Sequence, residues 1–88
     1  MSYQIEGAII KEQGVTFAVV VVKGHVLQNT TEANNMIIQL TPVFNGIPVV
    51  LMAQDARGVP SYYGRKDISK FLANIHINQI PWRKYTVG

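Results

Sequence analysis

The chain has 88 residues. This length is enough for one domain and too short for a second hydrophobic core. Apolar residues make up 48% of it and charged residues only 15%, below the roughly 25% of an average domain, and the net charge is +3. The lack of cysteine excludes disulfides, thiolate metal sites and a cysteine nucleophile, so we expect a cytoplasmic protein. The longest apolar run, residues 17–22, is too short to span a membrane, and no membrane partner is expected.

Two strands are predicted at the start of the chain. Residues 3–11 alternate loosely and are rich in isoleucine, and residues 15–23 are mainly β-branched, which suits a pleated strand. The intervening residues 12–14 fit a three-residue hairpin loop with Gly14 at positive φ. Because the second strand is apolar on both of its faces, we expect both faces to be covered.

A helix is predicted after the second strand. Asn29 and Glu32 have the spacing of an N-cap and an N3 residue. Apolar residues then recur at helical intervals: Ala33, Met36, Ile37, Leu40, Val43 and Phe44. We expect Pro42 to end or tighten the last turn, and Asn45-Gly46 to stop the helix.

The second half of the chain predicts two further strands and a second helix. Residues 47–54 predict a third strand, and residues 59–63 predict a short fourth strand joined to it by a turn at residues 55–58. After Gly64, apolar residues again follow the helical spacing: Ile68, Phe71, Leu72 and Ile75.

The last segment, residues 76–87, is predicted to be an edge or bulged strand because Pro81 interrupts it. The order β-β-α-β-β-α-β indicates an α+β fold: a mixed, mostly antiparallel sheet of about five strands with two helices on one face. The other face then needs a second sheet, a strongly curved sheet or a second subunit. With the low charge, this predicts a homo-oligomer, most simply a homodimer.

No motif for a phosphate-binding loop, a dinucleotide site, a zinc-protease helix, a calcium loop or a nucleophile elbow occurs, so we expect no cofactor and no metal. The densest polar cluster supplies the candidate ligand-binding residues Asp55, Arg57, Tyr63, Arg65 and Lys66. The two arginines would grip a carboxylate or phosphate, which predicts an anionic ligand. The alternative is that Asp55 stabilises a turn and Arg57 is solvated. His25 and His76 are interpreted as structural.

Cations and aromatic residues interleave in the C-terminal half, as in single-stranded nucleic-acid binders. The candidate cations are Arg57, Arg65, Lys66, Lys70, Arg83 and Lys84. Strand alternation, however, places Trp82 and Lys84 on one face and Arg83 and Tyr85 on the other.

Three hypotheses follow from the sequence. The favoured one is a non-enzymatic, homo-oligomeric binding or assembly domain. The second is a nucleic-acid-binding module, and the third is a small enzyme or ligand-binding site around Asp55, Arg57, Tyr63 and Arg65.

Overall fold

The computed structural model describes residues 2–12 and 14–87. Its strands are β1 (Tyr3–Glu12), β2 (Val15–Val21), β3 (Val49–Gln54), β4 (Pro60–Tyr63) and β5 (Arg83–Val87). Its helices are α1 (Gly24–Leu27), α2 (Thr30–Leu40) and α3 (Lys66–Ala73), with short 3₁₀ helices at Pro42–Phe44 and Ile77–Gln79. Gln13, in the predicted hairpin loop, lies outside the described residues.

The five strands form one sheet in the order β4-β3-β2-β1-β5. The central strand β2 runs parallel to β3, and every other pair is antiparallel. Val19 of β2 lies between Ala8 of β1 and Val50 of β3. The α+β class, the mixed sheet and the edge position of the last strand are therefore as the sequence predicts.

The local signals around α2 act as predicted. The Oδ1 atom of Asn29 accepts a hydrogen bond from the backbone N–H of Glu32 at 3.1 Å, which caps the helix. After Leu40 the chain tightens into the 3₁₀ helix Pro42–Phe44. Asn45 and Gly46 then adopt left-handed backbone angles, with φ of 58° and 86°, and turn the chain toward β3.

Helices α1 and α2 pack on one face of the sheet, called face A, which carries Ala18 and Val20 of β2. Both side chains are fully buried. The buried residues of this layer are Ala18, Val20, Val26, Ala33, Leu40, Phe44, Val49 and Leu51. The predicted apolar stripe of α2 therefore faces the sheet.

The opposite face, called face B, carries Phe17 and Val19 and is covered by α3. The buried residues of this layer are Ala8, Phe17, Val19, Val50, Ile68, Leu72 and Ile80. The ring of Phe17 meets the ring of Phe71 edge to face, with centroids 6.3 Å apart.

The position of α3 differs from the expectation that both helices lie on one face. The chain leaves β4 through Gly64, where an added Cβ would lie only 2.9 Å from Cγ2 of Val50, a face B residue. Gly64 thus packs directly against the backbone of β3, and α3, which begins two residues later, packs on face B. Both apolar faces of β2 are thus covered within one chain, and a second subunit is not needed to bury that strand.

Candidate functional site

Asp55 begins the turn between β3 and β4 and is held by that turn. Its Oδ1 atom accepts hydrogen bonds from the backbone N–H groups of Arg57, at 2.8 Å, and Val59, at 2.9 Å. Its own backbone carbonyl accepts from the N–H of Gly58 at 2.9 Å. This geometry is that of a carboxylate stabilising its own turn, the alternative that the sequence left open.

The rest of this turn is exposed to solvent. Arg57 lies at its tip and is exposed, and the Nε2 of Gln54 donates to the carbonyl of Gly58 at 2.9 Å. Asp55 nevertheless borders a cavity of about 430 Å³, which Gln54 and Ser61 also line.

Tyr63, Arg65 and Lys66 lie at the opposite end of β4. The hydroxyl of Tyr63 donates to Oδ1 of Asn34 at 3.0 Å, which joins β4 to α2. Because β4 has four residues, it separates Arg65 and Lys66 from Asp55 and Arg57 by roughly 13 Å of extended chain. Asp55 and Tyr63 border the cavity of about 430 Å³, whereas Tyr63, Arg65 and Lys66 border a second cavity of about 490 Å³. Four of the five candidate ligand-binding residues are thus divided between two openings that share Tyr63.

Arg65 is engaged by its neighbour Asp67 at the start of α3. Its Nε and Nη2 atoms donate to the two carboxylate oxygens at 3.0 and 2.6 Å. This bidentate pair holds the pKa of Asp67 below its ordinary value and raises the pKa of Arg65. The guanidinium fork that the sequence assigned to an anionic ligand is occupied by a side chain of the same protein.

The two histidines also serve local structure. The Nδ1 atom of His76 accepts from the N–H of Asn78 at 3.1 Å and caps the 3₁₀ helix Ile77–Gln79. The Nε2 atom of His25 lies 3.7 Å from Oε1 of Glu32. The His25–Glu32 contact joins α1 to α2 and has no signal in local sequence spacing.

The six candidate nucleic-acid cations are distributed over separate surfaces. Arg57 is at the turn after β3, and Lys70 is exposed on α3. On β5, the strand register places Arg83 on face A and Lys84 on face B, directly opposite Glu6 of β1. The split predicted from strand alternation is thus present in the sheet.

Tyr62 is a further polar residue that no pattern in the sequence singled out as a candidate. It packs against the face B core, and its hydroxyl is buried without a hydrogen-bond partner among the described residues. Burial raises the pKa of Tyr62 above its ordinary value, because the phenolate would lose hydration.

An apolar opening lies on face A, between α2 and the ends of β1 and β2, and we call it the α2 groove. Its volume is about 520 Å³. Val20, Val26 and Leu40 form its buried floor, and Ile5 and Met36 are among its walls. Four elements from the first half of the chain meet here, so no local motif predicts it.

The part of face A beside this groove is only partly covered. The apolar side chains of β1 and β5 on face A are Tyr3, Ile5, Ile9, Tyr85 and Val87, and we call this surface the open half-face. Tyr3 is 49% exposed and Ile9 46% exposed. The ring of Phe44 covers Tyr85 at a centroid distance of 5.2 Å, whereas α1 and α2 lie mainly over β3.

Within residues 2–12 and 14–87, no group of three or more His, Asp or Glu side chains is arranged to hold a metal ion. No helix in the described part of the chain has the length and apolar character needed to cross a bilayer. No protein family, curated protein or solved structure compared with this chain matches it.

Proposed function

We propose that this chain is a non-enzymatic binding domain that forms a homodimer through the open half-face. The observation that supports this most strongly is the exposure of Tyr3 and Ile9 on the same side of β1, on a part of face A that lies away from β3, where α1 and α2 mainly pack. Contiguous exposed apolar surface of this kind is typical of an interaction site.

A catalytic role has less support from the polar groups. Asp55 is hydrogen-bonded within its turn, Arg65 is paired with Asp67, and Tyr63 is bonded to Asn34. A general base or an anion clamp needs side chains that converge on a cavity with free hydrogen-bonding capacity. Three of the four residues of the enzyme hypothesis, all but Arg57, therefore already have structural partners for their side chains.

A second copy of the chain is the proposed partner because the open half-face combines apolar area with few charges. Ile9 and Tyr85 supply apolar area, while Lys11 and Arg83 project from the same face and are exposed. Tyrosine and arginine are both enriched at protein interfaces, so Tyr85 and Arg83 suit this role. Two-fold symmetry would bury each such surface against its own copy.

The nucleic-acid hypothesis stays an alternative prediction. Its cations lie on two faces and at two ends of the molecule, which supports a single phosphate-tracking surface less well than the sequence suggests.

The test is the mass in solution of the wild type and two variants, measured by light scattering at micromolar concentration. We expect the wild type to give twice the 9.8 kDa mass of one chain. Ile9→Lys should shift the population to monomer, because a charge buried in an interface without a partner is strongly unfavourable. Val59→Lys is the matched control, since Val59 is 55% exposed but lies beside β4, at the other edge of the sheet.

A wild type that is monomeric throughout this range contradicts the proposal. Equal loss of the dimer in Val59→Lys also contradicts it, because the association would then be independent of the open half-face. Circular dichroism of both variants shows that any change in mass occurs in folded protein.

A further inference from the structure

We infer that Asn45 is a site of spontaneous deamidation, and that the fold suppresses the reaction until the turn between α2 and β3 opens. The inference concerns a chemical modification and is independent of the binding role proposed above. It depends on Asn45 and Gly46, the one Asn-Gly pair in the sequence.

Deamidation is a reaction between these two neighbours. The backbone nitrogen of Gly46 attacks Cγ of Asn45, a C–N bond forms, and the Gly46 nitrogen loses its proton to hydroxide or a buffer base. The side-chain nitrogen takes up a proton from water and leaves as ammonia, and water then opens the five-membered succinimide to aspartate or isoaspartate. Glycine favours the attack, because it has no Cβ to shield its nitrogen and its backbone rotates freely.

The folded backbone holds the two reacting atoms apart. Asn45 is left-handed, with φ 58° and ψ 30°. In this region Cβ lies beside the carbonyl oxygen of its own residue, which places the following nitrogen on the far side of the carbonyl carbon. The torsion about Cα–C from Cβ to the Gly46 nitrogen is therefore about 150°, whereas closure of a five-membered ring requires the two atoms to be nearly eclipsed.

Hydrogen bonds and a buried anchor fix this arrangement. The N–H of Gly46, which carries the attacking nitrogen, donates to the carbonyl of Thr41 at 2.9 Å, and the N–H of Asn45 donates to the carbonyl of Pro42 at 3.2 Å. Phe44, the preceding residue, is only 3% exposed and holds the turn in the face A core. The attack thus requires the peptide between Asn45 and Gly46 to flip, which breaks the hydrogen bond to Thr41.

The flipped backbone is also strained. With φ kept at 58°, a ψ of about −120° puts Asn45 in a region that glycine occupies readily and other residues rarely do. Strain and the lost hydrogen bond together keep the reactive conformation rare. Deamidation should therefore be slower in the folded chain than in the unfolded chain by about tenfold or more.

The experiment compares deamidation of the full chain in buffer and in concentrated urea at the same mildly alkaline pH. Mass spectrometry of proteolytic peptides measures the modified fraction at each of the six asparagines. In urea, Asn45 should react before the others, and in buffer its rate should be lower by about tenfold or more. Equal rates in buffer and urea, or faster reaction of another asparagine in urea, would overturn the inference.

Two variants with the same substitution separate opening of the turn from unfolding of the whole chain. Phe44→Leu loosens the anchor beside Asn45 and should speed the reaction in buffer about three- to tenfold, the range for a tolerated volume change in a packed layer. Phe17→Leu is the matched control, because Phe17 is 2% exposed but lies in the face B core, and it should leave the rate in buffer unchanged. Neither variant should change the rate in urea, where the turn is absent.

Circular dichroism shows whether both variants are folded in buffer. Equal acceleration by Phe17→Leu would mean that the reaction proceeds through global unfolding, which would overturn the role assigned to the turn. An unchanged rate in folded Phe44→Leu would equally overturn it. The comparison of buffer with urea uses the wild type alone and so tests the inference even if a variant does not fold.

Discussion

Single residues set how closely neighbouring strands approach each other, and Gly7 shows this most clearly. It lies in β1 opposite Val20, and a Cβ added there would lie 2.7 Å from the carbonyl oxygen of Val19. That atom belongs to the backbone of the central strand and cannot rotate away. The strand pattern places a glycine here, but only the paired strands show that no larger residue fits.

Gly7→Ala should therefore destabilise the protein by about 1–3 kcal/mol, since the added methyl forces β1 and β2 apart. Urea unfolding, followed by the fluorescence of the single tryptophan, Trp82, measures this change. Gly24→Ala is the control, because its added Cβ would meet no atom within 4 Å and alanine favours the helix α1. Equal destabilisation by the two substitutions would show that the close approach at Gly7 is not the cause.

The polar candidates illustrate what residue types alone leave open. Asp55 and Arg57 are compatible both with an anion site and with a self-stabilised turn. The two N–H groups that reach one oxygen of Asp55 favour the turn. The role of Arg65 likewise becomes clear only in the structure. Its side chain reaches Asp67 because the backbone between them turns into α3.

At the scale of elements, the sequence predicts a helix best where a long apolar stripe at helical spacing lies between a capping residue and a stop signal. The element α2 has all three: the Asn29 cap, the apolar stripe and the left-handed pair Asn45 and Gly46. The four-residue helix α1 and the 3₁₀ helix Ile77–Gln79 have no such signal, because one helical turn is too short to show a period.

Asn29→Ala should reduce stability by about 1 kcal/mol, since the N–H of Glu32 would lose its hydrogen-bond acceptor. Thermal unfolding monitored by circular dichroism gives the comparison. Asn35→Ala, on the exposed part of the same helix, should leave stability unchanged or raise it slightly, because alanine has the higher helix propensity. If both variants lose stability equally, the cap is not a determinant of α2.

At the scale of the whole molecule, one central strand joins two apolar layers. Phe17 of β2 is 2% exposed and contacts Phe71 of α3, whereas Val20 of the same strand faces α2. The sequence predicts correctly that both sides of this strand are buried. Because the second cover comes from α3, the case for a dimer rests on the open half-face instead of on β2.

Phe17→Ala should cost about 3–5 kcal/mol, because it leaves a cavity in the layer between the sheet and α3. Guanidinium unfolding of the variant and the wild type measures the loss. Ile38→Ala, at a site that is 68% exposed on α2, should change stability by less than about 0.5 kcal/mol. A loss below 1 kcal/mol for Phe17→Ala would mean that face B is not a packed core layer.

The sequence by itself determined the α+β class, the order of the main elements, the cap of α2 and the burial of the valine-rich strand. These depend on periodicity, capping and turn chemistry, which act between residues close in the chain. Only the tertiary structure decided that α3 covers face B, that the polar candidates beside β4 are divided between two cavities, and that the α2 groove and the open half-face exist. Those features depend on which distant segments pair and on the side of the sheet to which each connection crosses, and a local pattern carries no information about either.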